Sequence, residues 1–280
     1  MTALSQFAYL QVRLQARYGQ LPDSTVWRRL EGITALSHFL QTARTTGLRP
    51  WLLTIASGTR WDARSAPAGA APAMAPITIA AHGNSHAMEK SLRRQLRQHI
   101  DEVTRWLPPP WRPAAVWCGL LPDLPALQHL LGSAGAPPWL LDDERLKPYT
   151  HDLRDMRLQA LRNSPYAPLL NGSNDTSNLA AAWASHWQAL WPATATGTDR
   201  AALERLAAQF ADHYATLHND RTQDSLRVRD HLDHHLRLGF RRHPHQAAAA
   251  FYYLALAGLS LERLRGLLTR LILFPQERTA

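Results

Sequence analysis

Helical periodicity runs through nearly the whole chain, and it limits the fold more than any other feature. Phe7, Leu10, Leu14 and Tyr18 recur at spacings of three and four, so they share one helix face. Met88, Leu92, Leu96, Ile100 and Val103 repeat the pattern beside an arginine face, over a helix predicted from about Ser85 to Trp106, where Pro108-Pro109-Pro110 stops it. Trp183, Trp187 and Trp191 do the same with larger side chains. No alternating run longer than four residues is convincing as a strand, and Ile77-Thr78-Ile79 is too short to define one. The predicted fold is therefore all-α.

Punctuation between the stripes sets the organisation. Leu21-Pro22-Asp23-Ser24 reads as a break, with Asp23 or Ser24 capping a helix that carries Trp27, Leu30 and Ile33, and Thr34 capping the next. An Ala/Pro/Gly-rich insertion covers about 57–85 and has little to bury. A helix–turn–helix with its turn near Gly119–Pro122 follows, then a break at 132–138, a segment from Leu146 to Leu161, and polar loops at 171–178 and 192–198. Long helices are expected over 199–218 and 222–240, and Pro244 opens a closing helical hairpin. This divides the chain into an N-terminal helical unit (1–136), a middle unit (137–198) and a C-terminal unit (199–280).

Several function classes are disfavoured. Hydrophobic residues are 45% of the chain and charged ones 19%, which supports a buried core and argues against disorder. The lone cysteine, Cys118, excludes an internal disulfide and lies between Trp117 and Gly119 in a segment that reads as core. The most apolar stretch, Ala247–Leu261, is too short to span a bilayer, and Met1–Tyr18 has no basic cluster leading into an apolar run, so a soluble cytosolic chain is expected. Neither a GxxxxGK[ST] nor a GxGxxG phosphate loop is present. Ser173 and Thr176 lack a nucleophile-elbow pattern. His231, His234 and His235, with His243 and His245 nearby, could share a metal at helical spacing, yet a solvated helix face is the better reading. No cofactor and no metal is expected. The net charge of +9 is carried almost entirely by arginine, since Lys90 and Lys147 are the only lysines; the expected partner is acidic protein rather than nucleic acid.

A weak internal repeat aligns Asp123-Leu-Pro-Ala-Leu-Gln-His-Leu-Leu131 with Ser260-Leu-Glu-Arg-Leu-Arg-Gly-Leu-Leu268. Both start with a residue able to cap a helix and carry leucines at matching places, after aromatic segments Val116-Trp117 and Phe251-Tyr252-Tyr253. Tyr9-Leu-Gln-Val-Arg13-Leu-Gln-Ala-Arg17-Tyr-Gly19-Gln-Leu21, the aspartate-led leucine helix after a long charged one (88–135), and Pro244–Phe274 with its Leu264-Arg265 pair together resemble a known family. It is the C-type connector of archaeal and bacterial A/V-type ATPases, whose counterpart in the eukaryotic V-ATPase is the d-type connector. The chain departs from the family at Ala255, Leu256, Gly258 and Ser260, where lysine and glutamate are usual, and at Ala126 and Arg263, where asparagine is usual. About 140–240 does not align.

The resemblance implies a funnel-like bundle of two to three repeated helical subdomains with no catalytic residues of its own. It implies a central-stalk connector on the cytoplasmic face of the membrane, with the central-shaft subunits and the proteolipid rotor ring as partners. Membrane contact would be indirect, through the ring. Candidate partner-contact residues are Tyr9, Arg13, Arg17, Arg93, Arg97, Arg237, Arg241, Arg263 and Arg265. The competing expectation is a free helical adaptor binding an acidic protein or nucleic acid through its arginine faces.

Overall fold

The computed structural model describes residues 3–52, 85–132, 135–136, 138–170, 179–219 and 225–274. The predicted insertion (apart from Ser85), Ile77–Ile79 and the polar loop at 171–178 lie outside these. The helices, in chain order, are α1 (Ala3–Tyr18), α2 (Ser24–Glu31), α3 (Leu36–Arg44), α4 (Ser85–Trp106), α5 (Arg112–Cys118), α6 (Leu124–Gly132), α7 (Pro138–Leu141), α8 (Arg154–Arg162), α9 (Leu179–Ala189), α10 (Gly197–Asn219), α11 (Ser225–Arg242) and α12 (Ala247–Leu273). No strand occurs among the described residues, so the all-α expectation holds. None of these helices is long and apolar enough to cross a membrane.

The apolar stripes read from the sequence are the buried faces. Leu10 and Leu14 of α1 are buried, as are all five apolar positions of the α4 stripe. Each such side chain contributes about 1.5–3 kcal/mol when fully removed from water. Asp23 caps α2 as its position suggests, its carboxylate accepting from the Val26 N–H at 2.8 Å. Thr34 does not cap α3: the residue before that helix is Ala35, in extended conformation and without a side-chain cap.

The expected closing hairpin is instead one helix of 27 residues, α12. Gly258 and Ser260 lie in its interior, so Ser260 does not start a helix as Asp123 nearly does. Alanines and leucines on both sides carry the helix through, outweighing a propensity cost of about 1 kcal/mol for the glycine. Most of the repeated leucines are buried all the same: Leu127, Leu130 and Leu131 on α6, where Leu124 is half-buried, and Leu261, Leu264, Leu267 and Leu268 on α12.

Two compact units divide the chain. The first takes Met1–Tyr18 and Leu96–Leu256, the second Gly19–Gln95 and Ala257–Ala280. In the first, the tryptophan face of α9 forms a ladder. Trp183 and Trp187 stack with ring centres 5.6 Å apart, and Trp187 meets Trp191 edge-on at 5.1 Å. Trp117 of α5 and Trp183 are tied reciprocally, each indole N–H donating to the other's backbone carbonyl at 3.0 and 3.2 Å. Between α11 and α12, His245 takes a left-handed conformation (φ 60°) and its N–H donates to Gln11 Oε1. The second unit closes on Arg263, which pairs with Glu31 at 2.7 Å and lies over the Trp27 ring. Arg270 donates to the carbonyl of Glu31 at 2.9 Å, and so satisfies an acceptor at the end of α2.

Candidate partner-binding surface

The arginines singled out in the sequence divide into two groups. Most are engaged inside their own unit. Arg17 pairs with Glu102 at 2.6 Å, Arg97 with Asp123 at 2.9 Å, Arg237 with Asp233 at 2.6 Å, and Arg263 with Glu31. Arg237 also lies over Tyr18, whose ring stacks on Phe240. Arg93 is buried on α4 beside Glu89 (3.8 Å), and the same carboxylate accepts from the exposed Arg265 at 3.1 Å. Arg241 is exposed and donates to the carbonyl one turn back.

Arg13 differs. Its guanidinium lies over two aromatic rings, Tyr9 at 5.2 Å and Trp106 at 5.9 Å, and makes no hydrogen bond or ion pair among the described residues. Tyr9 and its helix neighbour Val12 are 45% and 70% exposed. Two more arginines meet the same end of α4. Arg105 donates to Asp101 O, and Arg112 donates to Leu107 O at 3.0 Å. Each of these two arginines spends its Nε on a carbonyl and has no carboxylate partner among the described residues. Trp106, Arg105 and Arg112 were not among the expected contact residues. A tryptophan closing a helix before three prolines was the available signal, but nothing in the sequence connects it with Arg13.

The most heavily bonded charge is structural. Asp123 is fully buried one position before α6; it accepts from Arg97 and the Tyr166 hydroxyl (2.8 Å) and pairs with Arg145 (3.0 Å), whose Nε donates to the same Tyr166 hydroxyl at 2.9 Å. Burial, reinforced by the Asp123 charge, pushes the Tyr166 hydroxyl well above the usual phenol range, so it remains a donor. At the other end of α6, Arg157 and Arg154 donate to the carbonyls of Leu130 and Leu131.

A second buried polar pair joins Tyr253 and His99, with 2.8 Å between the hydroxyl and Nε2. Burial lowers the His99 pKa from 6.5 to about 4; Glu102 opposes the shift and Arg17 adds to it. His99 is therefore neutral near pH 7, and its Nε2 and the tyrosine hydroxyl share one hydrogen bond. The unfolded chain takes up the proton near pH 6.5 and the folded chain resists it until about 4. Stability from this group is thus complete above pH 6.5 and is lost as pH falls toward 4. The expected loss is about 2–3 kcal/mol. Urea denaturation of wild type and His99→Gln between pH 7 and 4 should show the difference between them shrinking over that window. Parallel pH profiles would refute this role.

The remaining candidates are placed as follows. The Cys118 thiol is buried, donates to Ala114 O, and is pushed up to about 12 by burial, so it does not ionise near neutral pH. His231 and His235 lie with ring centres 4.3 Å apart, but His243 stacks on Tyr252 and bonds Gln246. No group of three or more ligands suited to a metal is found among the described residues. Ser173 and Thr176 lie outside them. The apolar seam lined by Leu127, Leu131, Leu161, Leu170 and Leu179 is too tight to admit a water molecule.

Among the described residues, the fold is all-helical, most of the arginines singled out in the sequence bind side chains of their own unit, and Arg13 with Tyr9 faces outward. No protein-family model, curated protein or solved structure matches the chain.

Proposed function

We propose that this chain is a non-catalytic connector of a V/A-type rotary ATPase, peripheral on the cytoplasmic face of the membrane, which couples the proteolipid rotor ring to the central shaft during ion transport. The reading begins with the resemblance of three segments, which here fall on α1, on α4 to α6, and on α12. The observation that supports it most is how the polar side chains of those segments are used. Arg17 holds Glu102, Asp123 holds Arg97 and Arg145, and Arg263 holds Glu31, so charge in these helices locks each unit internally. Torque transfer requires stiff parts, and an ion pair with a buried member, as at Asp123 and Arg263, resists rearrangement because breaking it leaves an uncompensated charge. Partner contact would then rely on shape and on arginine–carboxylate pairing at the surface.

The test is recovery of partners. Tagged protein is drawn from native membranes and its companions identified by mass spectrometry. Shaft and proteolipid subunits are the expected companions. Their absence from intact membranes, with the tag accessible, would overturn the connector reading.

A further inference from the structure

We infer that the end of α4 in the first unit is a docking face for an acidic, amphipathic segment of a partner protein, with Arg13 as its central anchor. The inference borrows from the connector reading only the identity of that partner; the chemistry of the face stands without it. Among the described residues, Arg13 lies over Trp106, Arg105 and Arg112 bond the carbonyls of Asp101 and Leu107, and Arg17 already takes Glu102, so arginines outnumber the carboxylates Asp101 and Glu102 along this last part of α4 and just after it. The local excess is positive. Arg13 is the group best prepared to receive a carboxylate. Its two rings restrain the guanidinium before any partner arrives, which lowers the entropy cost of binding. Its N–H donors are unused among the described residues, and a guanidinium fork binds a carboxylate with two parallel, charge-assisted hydrogen bonds. Beside it, the exposed Tyr9 and Val12 offer an apolar contact that a purely ionic ligand would leave wet.

A nucleic acid is a poorer occupant of this face. Single strands bind by stacking bases on open aromatic faces. Here the guanidinium of Arg13 lies over both candidate rings. A protein helix with glutamates on one stripe and leucines on the next satisfies both halves of the surface.

The test uses full-length protein and three fluorescein-labelled probes: a synthetic amphipathic Glu/Leu helix, its Lys/Leu counterpart and an oligothymidylate, read by anisotropy at low and physiological salt. The Glu/Leu helix should bind and the Lys/Leu helix should not. Arg13→Gln should weaken binding by at least about tenfold, the scale of losing an anchoring charged contact. Arg227→Gln, an equal charge change at an exposed site on α11, should leave it within about twofold. Arg13 is solvent-facing, so the variant is expected to fold, and its circular dichroism should match wild type. Equal losses in the two variants, no loss in Arg13→Gln, no binding of the Glu/Leu helix, or preference for the oligothymidylate would each overturn the inference. The membrane pull-down separates the two claims. If Arg13→Gln still recovers shaft and ring subunits undiminished, the docking face is wrong and the connector reading survives. If wild type recovers neither but the peptide result holds, the reverse is true.

Discussion

Asp123→Ala should cost the protein about 3 kcal/mol or more, read as a drop in the urea midpoint at unchanged slope. The carboxylate is fully buried, accepts from Arg97 and Tyr166, and pairs with Arg145. Removing it takes the acceptor from Arg97 and from the Tyr166 hydroxyl and the counter-charge from Arg145, whose Nε still donates to Tyr166. Arg145 is 39% exposed at its side chain and can turn to water, which keeps the loss below the upper end for buried pairs. Arg97 is 16% exposed and has less room to do so. Asp123 also stands just before α6, where a negative charge is favoured by the helix dipole, and the substitution removes that contribution as well. Asp101→Ala, on the exposed side of α4, should change stability by less than about 0.5 kcal/mol. If the two variants proved equally stable, Asp123 would not be the tie described.

Gly47→Ala should be comparably damaging, through backbone contact rather than charge. A Cβ at position 47 would lie 1.5 Å from the carbonyl oxygen of Gln20 and 2.7 Å from its carbon. No rotamer change relieves a collision with main chain, so the turn at 45–48 and the link between α1 and α2 must move apart. The expected cost is about 3 kcal/mol, at the upper end for overpacking. Gly132→Ala is the contrast. It closes α6, nothing lies within 4 Å of the added carbon, and alanine favours helix over glycine by up to about 1 kcal/mol. Thermal denaturation should therefore move in opposite directions for the two glycines. A Gly47→Ala protein as stable as wild type would show that the close approach to Gln20 is not required.

The sequence made some of this visible, and the reason is specific. Spacing of three and four identifies which side of a helix is apolar, so α1, α4 and the leucines of α6 emerge with their buried faces correct. Asp23 announced itself because a capping side chain acts within three residues. Long-range pairing leaves no such mark. Asp123 finds Arg97 at a distance of 26 residues and Arg263 finds Glu31 at 232. Nothing in a periodic pattern says which arginine will be turned inward. Hence the nine candidate contact residues mixed one outward-facing, ring-supported guanidinium, Arg13, with several that hold the fold. The single helix α12 was missed for a related reason. Gly258 and Ser260 resemble punctuation locally, and the burial of Leu256, Leu259 and Leu264 around them decides otherwise. The repeat shares its leucine frame in both copies, but one copy begins a helix and the other lies within one.

The tryptophan ladder of α9 has an optical consequence. Two indoles stacked at 5.6 Å with their planes 18° apart have transition dipoles close enough to couple. The chain therefore carries its own chiroptical gauge: a split circular-dichroism signal should accompany the native arrangement of Trp183 and Trp187. It should fade when those rings separate, even while the surrounding helices keep their backbone signal. Loss of tertiary order in this part of the molecule can thus be followed without attaching any label.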